Sequence, residues 1–247
     1  MLVKQKYIRI FGFGVVFFAL ACAAVCVSRQ NARSVPASRT EEKKHIIYLT
    51  FDDGPSKNTS FVLEILKREK IPATFFVIAP QNEEGEKLYR RIIDEGHCLA
   101  LHSYTHNTDE IYKSVQAYEE DFFRLQKTVY ELTGQSPDIF RFPGGSTTSA
   151  CKPELMKTLI NHMAKKGYTY FDWSIDLNDS GPYALPADEI YKNLVKEVEK
   201  QPGCDLIILM HDDSLRSTLP AALEKIIIYL RGKGYVFDAL CKDTALE

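Results

Sequence analysis

A regular alternation of apolar, strand-like runs with amphipathic helical stretches is the feature that most constrains the fold of this chain. The predicted strands are 46–51, 74–78, 98–101, 139–141, 168–171, 206–210 and 235–237. The predicted helices are 60–69, 86–95, 115–133, 153–166, 187–200 and 218–231. Strands that alternate with helices pair in parallel, so the pattern predicts a single α/β domain, either a barrel or an open doubly wound sheet.

The N-terminus does not belong to this pattern. Three basic residues, Lys4, Lys6 and Arg9, precede an uncharged run of 18 residues at 10–27. That length is about the minimum that spans a bilayer and exceeds the usual signal-peptide core of roughly 7–15 residues. We therefore predict a signal-anchor over 1–27. The alternative is a cleaved signal peptide, because Ala19-Leu20-Ala21 resembles a cleavage site.

The remainder of the chain is then predicted to lie outside the cytoplasm, because basic residues before an apolar run favour a cytoplasmic N-terminus. We predict a single-pass protein of the cell membrane with an extracytoplasmic domain, or a secreted protein if the N-terminus is cleaved. Residues 28–44 are polar without apolar periodicity and are predicted to form a flexible linker. Residues 45–247 are predicted to form the folded domain.

Net charge limits the classes of partner that the domain can bind. Residues 1–44 hold 8 of the 31 basic and 2 of the 33 acidic residues, which leaves 45–247 with a net charge of −8. An acidic domain without a basic stripe argues against nucleic acid as a partner. We expect the domain to be a monomer.

An exported compartment would permit disulfides among Cys98, Cys151, Cys204 and Cys241, but the sequence does not choose among the three connectivities.

Two adjacent carboxylates, Asp52 and Asp53, stand where Gly54 and Pro55 end the first predicted strand. Ligands of α/β proteins bind at the carboxyl ends of strands, so acids placed there can reach a site. The same Asp-Gly-Pro sequence is also ordinary turn chemistry. The residues downstream of this stretch favour the functional interpretation.

Two histidines four residues apart, His102 and His106, follow the third predicted strand. With one aspartate they form a set of two imidazoles and a carboxylate that can hold one metal ion and leave positions open for water and substrate. Such a set suits Zn²⁺ in hydrolysis, although Fe²⁺ sites use the same ligand types. A structural pair of histidines is the alternative.

Three further strand ends carry polar groups. Arg141 ends the fourth predicted strand and can pair with a carboxylate, and the glycines after it let backbone N–H groups approach a substrate oxygen. Asp179 lies in the loop after the fifth predicted strand. His211 ends the sixth, where it could donate a proton.

Taken together and in this order, these motifs resemble the polysaccharide deacetylase signature (NodB homology, carbohydrate esterase family 4). The motifs are Thr50-Phe51-Asp52-Asp53-Gly54-Pro55, His102-Ser103-x-x-His106, Arg141-x-Pro143 and Leu209-x-His211. The resemblance covers about residues 45 to 240. It implies a distorted (β/α) barrel of about seven parallel strands that removes N-acetyl groups from amino sugars with a divalent metal.

Carried over by position, the resemblance implies Asp53, His102 and His106 as metal ligands. Zn²⁺ is the favoured ion, with Co²⁺, Ni²⁺ and Fe²⁺ as alternatives. Asp52 would be the general base toward a water that the metal activates, and Arg141 would pair with Asp52.

The resemblance also implies His211 as the general acid and Asp179 as the residue that orients it. The backbone N–H of Gly144, where family members often have tyrosine, would help to hold the oxyanion, and Leu209 would line the acetyl pocket. Ser180 stands where the family's fourth motif usually has tryptophan, which puts the wall of that pocket in question.

We therefore predict a metal-dependent deacetylase of an extracellular polysaccharide, with peptidoglycan as the favoured substrate. A carboxylate-based glycoside hydrolase is one alternative, and it would need no metal. A catalytically inactive, wall-binding module on the same fold is the other.

Overall fold

The computed structural model describes residues 44–181 and 183–244. The eight strands of this part are β1 (Ile46–Asp52), β2 (Thr74–Ile78), β3 (Cys98–Ser103), β4 (Ile139–Phe140), β5 (Thr169–Tyr170), β6 (Ile175–Asp176), β7 (Leu206–His211) and β8 (Val236–Asp238). Its seven helices are α1 (Lys57–Glu69), α2 (Glu83–Asp94), α3 (Thr108–Ile111), α4 (Val115–Thr133), α5 (Pro153–Lys165), α6 (Ala187–Val198) and α7 (Leu219–Gly232).

Seven of the strands form one continuous parallel sheet in the order β5-β4-β3-β2-β1-β7-β6. The short strand β8 pairs with the first residues of β1, so β1 lies at the centre of the fold. The sheet curls into a half-barrel, and within the described residues no pairing joins β5 to β6. The predicted α/β class with parallel strands is confirmed, and the distortion of the barrel lies at this open seam.

Each predicted strand and helix corresponds to an observed element, with ends displaced by a few residues. Two elements were not predicted from the sequence, the strand β6 and the single turn α3. Both are too short for hydrophobic periodicity to reveal them, because a repeat of two or 3.6 residues needs several residues to become visible.

Alternation along β1 determines which side chains reach the inside of the curled sheet. Ile47, Leu49 and Phe51 pack with the helices in the large core. Tyr48 packs in a smaller cluster on the opposite face. Because successive side chains of a strand point to opposite faces, Asp52 shares the face of Tyr48, the interior of the half-barrel.

The four cysteines of the described part, Cys98, Cys151, Cys204 and Cys241, are free thiols. The predicted membrane segment at 1–27 lies outside the described residues, as does almost all of the predicted linker. Among the helices of residues 44–181 and 183–244, none is both long and apolar enough to cross a bilayer.

Candidate active site and metal centre

The carboxyl ends of the central strands carry the polar residues that the sequence singled out. Asp52 is the last residue of β1, His102 lies near the end of β3, and His211 is the last residue of β7. Arg141 directly follows β4, and Asp179 follows β6 by three residues. Parallel strands end at one edge of their sheet, so the fold brings these side chains to the same edge.

Asp53, His102 and His106 form a compact group in which one ligand atom from each residue lies within 4.8 Å of the other two. The Oδ1 atom of Asp53 lies 3.2 Å from Nε2 of His106 and 3.5 Å from Nε2 of His102. This Oδ1 atom is buried and accepts no hydrogen bond within the described residues. One carboxylate oxygen and two imidazole nitrogens facing one point fit a divalent cation such as Zn²⁺.

Local backbone conformation directs two of these three residues. Asp53 has φ of 71° and His106 has φ of 51°. The left-handed region is unfavourable for residues with a Cβ atom, and such conformations concentrate at functional sites. The chain therefore maintains two strained positions in order to bring these side chains together.

The protonation state of His102 follows from its partner. Its Nδ1 lies 2.8 Å from the carbonyl oxygen of Arg141, and because a carbonyl only accepts, Nδ1 carries the proton. Burial lowers the pKa of His102, an effect that the charges of Asp52 and Asp53 oppose. The neutral ring directs the lone pair of Nε2 toward Asp53, as a metal ligand requires.

Asp52 is held by a fully buried arginine. Nη1 of Arg141 donates to Oδ1 of Asp52 and to Oγ1 of Thr50, both at 2.8 Å. The remaining guanidinium nitrogens donate to the carbonyl oxygens of Phe171 and Asp172. Burial lowers the pKa of Arg141, and the charge and hydrogen bond of Asp52 oppose that change.

The second oxygen of Asp52 has a different neighbour. Its Oδ2 atom lies 3.9 Å from Nε2 of His102. One oxygen of the carboxylate is thus occupied by Arg141, and the other faces the group of candidate metal ligands.

His211 and Asp179 form a second buried pair. Nδ1 of His211 donates to Oδ1 of Asp179 at 2.7 Å, and the backbone N–H of His211 donates to Oδ2 at 3.0 Å. Burial alone would lower the pKa of His211, but the hydrogen bond and charge of Asp179, with the charges of Asp52 and Asp53, raise the pKa to about 9. At neutral pH the ring is protonated and Nε2 is available as a donor.

Gly144 and Leu209 occupy different parts of this edge. Gly144 lies in the loop after β4 with φ of 74°, and its N–H donates to no acceptor within the described residues. The hydroxyl of Tyr112 donates to the carbonyl of Pro143 at 2.8 Å and holds this loop. Leu209 is buried on β7, two residues before His211 and therefore on the same face of the strand.

Two acidic residues of the site were not predicted from the sequence. Asp121 of α4 accepts hydrogen bonds from Ser103 Oγ, from the backbone N–H groups of Tyr104 and Thr105, and from Thr105 Oγ1. Ser103 Oγ in turn accepts from the backbone N–H of His106. Asp121 thereby fixes the loop between the two histidines.

The second is Asp212, which directly follows His211. Its side chain is fully buried, and burial raises its pKa to about 7, while a hydrogen bond from Thr59 opposes that change. The only sequence feature that could have indicated Asp212 as a site residue is its position after a strand that ends in histidine. Asp121 lies on a helix, and no feature of the sequence indicated it.

Comparison with known proteins identifies the family. A sequence profile described as "Polysaccharide deacetylase" matches residues 39–171. The chain belongs to the polysaccharide deacetylase family. The family resemblance of the motifs and the prediction of a deacetylase enzyme are thereby confirmed.

Individual members of the polysaccharide deacetylase family resemble the chain over most of its length. YheN of Bacillus subtilis, named provisionally as a polysaccharide deacetylase, is 35% identical over 205 residues, which are 80% of this chain and 67% of that protein. A peptidoglycan-N-acetylglucosamine deacetylase of Bacillus cereus is 34% identical over 216 residues, 86% of this chain and 75% of that protein.

A solved structure of the same family shares the fold. The catalytic domain of peptidoglycan N-acetylglucosamine deacetylase from Eubacterium rectale superposes with a TM-score of 0.76 and 30% identity. The superposition covers 83% of this chain and 92% of that one. The curled half-barrel of this chain is thus the fold of a deacetylase catalytic domain.

Proposed function

We propose that this protein hydrolyses N-acetyl groups from the amino sugars of an extracellular polysaccharide, with peptidoglycan as the preferred polymer. The observation that carries the proposal is the arrangement of Asp53, His102 and His106 around one point, with the unligated acid Asp52 beside them. Amide hydrolysis needs an activated water, a proton acceptor and a proton donor, and this edge of the sheet carries groups suited to each role.

Asp53, His102 and His106 would hold a divalent cation, for which Zn²⁺ is the favoured candidate. When bound there, the ion supplies Lewis acidity, which acidifies water toward a pKa of about 7 and polarises the amide carbonyl. The buried Oδ1 atom of Asp53, which has no hydrogen-bond partner among the described residues, is the observation in favour of a cation at this position.

The remaining residues would move the protons. Asp52 takes the proton of the attacking water through Oδ2, while Arg141 holds Oδ1 and fixes the orientation of the carboxylate. His211 gives a proton to the departing amine, and Asp179 keeps its ring oriented and protonated.

The oxyanion and the acetyl group require their own contacts. The backbone N–H of Gly144 donates to the oxyanion, an interaction worth about 3–4 kcal/mol in comparable sites. Leu209 lines the space for the acetyl methyl group. Ser180 leaves one wall of that space smaller than tryptophan would, which bears on the choice of sugar.

Peptidoglycan is favoured because two of the similar proteins described above are peptidoglycan N-acetylglucosamine deacetylases. The sequence of residues 1–27 adds a membrane anchor to this proposal, with 28–44 as a linker that keeps a monomeric domain near the cell wall. Fractionation of cells that express the full chain tests the location: the protein is expected in the membrane fraction and accessible to external protease.

Release of acetate is the direct test of the reaction. The protein is stripped of metal with a chelator, and acetate is measured with N-acetylglucosamine oligomers and with purified sacculi before and after addition of Zn²⁺, Co²⁺, Ni²⁺ or Fe²⁺. We expect no release without metal, recovery with Zn²⁺, and none from His102→Ala. His162→Ala, a histidine variant outside the site, is the control and is expected to match the unmodified protein.

The same assay separates the alternatives. Production of reducing ends at an unchanged rate in chelator would indicate a glycoside hydrolase and would overturn the proposal. Binding to sacculi without acetate release under any metal condition would indicate an inactive binding module.

A further inference from the structure

Asp212 is a fully buried carboxylate that takes no part in the proposed reaction. Oδ2 accepts a hydrogen bond of 2.5 Å from Thr59 Oγ1, and Oδ1 accepts none within the described residues. A buried acid that lacks a cationic partner destabilises a fold. A residue with this cost and no catalytic contact calls for another role.

The contacts of Asp212 surround the turn at 52–56. Its carboxylate lies so close to Gly54 that a Cβ atom there would approach Oδ2 to 2.6 Å. Its backbone N–H donates to the carbonyl of Asp52 at 3.1 Å, and its carbonyl accepts from Ser56 Oγ at 2.5 Å. Asp212 therefore touches this turn at its first, middle and last residues.

Thr59 extends the link into α1. Its Oγ1 atom, which donates to Asp212, accepts from the backbone N–H of Ser56 at 2.8 Å. Ser56 caps α1 through a hydrogen bond from the backbone N–H of Asn58. One chain of hydrogen bonds thus joins the end of β7 to the turn after β1 and to the start of α1.

We infer that Asp212 is a positioning residue, which holds the turn at 52–56 in the conformation that places Asp53 opposite His102 and His106. Asp53 has a left-handed backbone, and such a residue keeps its conformation only where its surroundings enforce it. Asp212 and Thr59 supply that enforcement through their contacts with Asp52, Gly54 and Ser56. The inference rests on the proposed metal site.

Zinc affinity separates this role from a general structural one. Metal-free protein is titrated with Zn²⁺ in competition with a chromophoric chelator, and the thermal midpoint of the metal-free form is measured beside it. Asp212→Asn keeps the shape of the side chain and removes its charge. Thr59→Val keeps the shape of residue 59 and the carboxyl group of Asp212 but removes both hydrogen bonds of the hydroxyl, the one to Asp212 and the one from the backbone N–H of Ser56. Thr59→Ser restores the hydroxyl.

We expect Thr59→Val to weaken Zn²⁺ binding by about 10–100-fold, the usual effect of removing a group that holds a metal ligand in place. Asp212→Asn is expected to bind as the unmodified protein does, because its shape is unchanged and its amide oxygen can still accept from Thr59. Thr59→Ser is expected to bind as the unmodified protein does. The metal-free form of Asp212→Asn is expected to be as stable as the unmodified protein or more so, because no ionisable group then has to be buried there. The matched control is Asp213→Asn, which removes a charge from the neighbouring residue and is expected to leave the affinity unchanged.

Three results would contradict the proposed role of Asp212. If the unmodified protein binds no Zn²⁺, the proposed function fails and the inference fails with it. If the unmodified protein binds and Thr59→Val binds equally well, only the inference is overturned. Weak binding by Asp212→Asn would also overturn it, since charge rather than position would then be the cause. Should Asp212→Asn not fold, Thr59→Val and Thr59→Ser carry the test.

Discussion

Asp52 and His211 are register partners on the neighbouring parallel strands β1 and β7. Adjacent strands lie about 4.8 Å apart, and paired residues of parallel strands point to the same face. The proposed proton acceptor and the proposed proton donor therefore stand side by side at the same end of the sheet. Asp179 accepts a hydrogen bond from His211, and Arg141 donates one to Asp52.

Replacement of Asp52 by asparagine tests the proton acceptor. The asparagine side chain would still accept a hydrogen bond from Arg141, but its amide has no useful basicity. We expect kcat to fall by about 10²–10⁴-fold, the usual contribution of general acid–base catalysis. Acetate release at saturating metal measures the rate, and a parallel titration is expected to show that Zn²⁺ still binds. Undiminished turnover would exclude Asp52 as the base.

Replacement of Asp179 by asparagine tests the origin of the raised pKa of His211. The hydrogen bond and charge of Asp179 are the largest effects that raise this pKa to about 9, against the opposing effect of burial. In metal-free Asp179→Asn, we expect the His211 ring to titrate at a lower pH, as followed by NMR. An unchanged titration would show that Asp179 does not set the protonation of His211.

The same pair affects stability in a defined pH window. Because the folded pKa of His211 lies above the ordinary value of 6.5, its interaction with Asp179 stabilises the fold fully below pH 6.5. That contribution is lost as pH rises from 6.5 through about 9. The difference in the free energy of unfolding between unmodified protein and Asp179→Asn is therefore expected to shrink over this interval in urea titrations.

The sequence predicted the candidate metal ligands because their signals are local. Asp53 and the His102–His106 pair sit next to predicted strand ends, where the fold class alone places binding groups. Arg141 and His211 were predicted for the same reason. Their grouping requires only that parallel strands end at one edge of a sheet.

The residues that hold these groups in place could not be predicted in the same way. Asp121 acts on backbone N–H groups of a loop that lies 16 or more residues away along the chain. Asp212 acts through Gly54 and Thr59, which are more than 150 residues away. Such contacts depend on tertiary packing, as does the open seam between β5 and β6. Hydrophobic periodicity in the sequence therefore does not predict them.

Asp121 offers a test of the loop that carries the two histidines. Asp121→Ala leaves four donors without their acceptor, including the hydroxyl of Ser103 that fixes the backbone of His106. We expect Zn²⁺ affinity to fall by about 10–100-fold, as for other outer partners of metal ligands. Competition titration of the metal-free protein measures it.

Glu120→Gln supplies the control for Asp121. Glu120 is the neighbouring acid on α4. Its side chain is exposed, and in the part of the chain that the structure describes it accepts a hydrogen bond only from Gln116. We expect its removal to leave Zn²⁺ affinity unchanged. Equal affinities in Asp121→Ala and Glu120→Gln would show that the histidine loop holds its conformation without Asp121.

Among the residues of the site, Arg141 is expected to be the one whose loss destabilises the protein most. Its side chain is fully buried, and its Cζ atom lies 4.2 Å from the centroid of the Phe76 ring. Its guanidinium group forms an ion pair with the buried carboxylate of Asp52. Arg141→Met approximates its volume but leaves the carboxylate unpaired. We expect the free energy of unfolding of the metal-free protein to fall by about 3–5 kcal/mol, measured by urea denaturation.

A second substitution shows whether the unpaired charge of Asp52 causes that loss. In Arg141→Met combined with Asp52→Asn, no buried carboxylate remains at this position, so the double variant should regain part of the stability that the single one loses. Additive losses would mean that Arg141 stabilises the fold through Thr50, Phe171 and Asp172 instead. Recovery of stability without recovery of acetate release would separate the two roles of the pair, because the charge of Asp52 would then be costly to the fold and still required for the reaction.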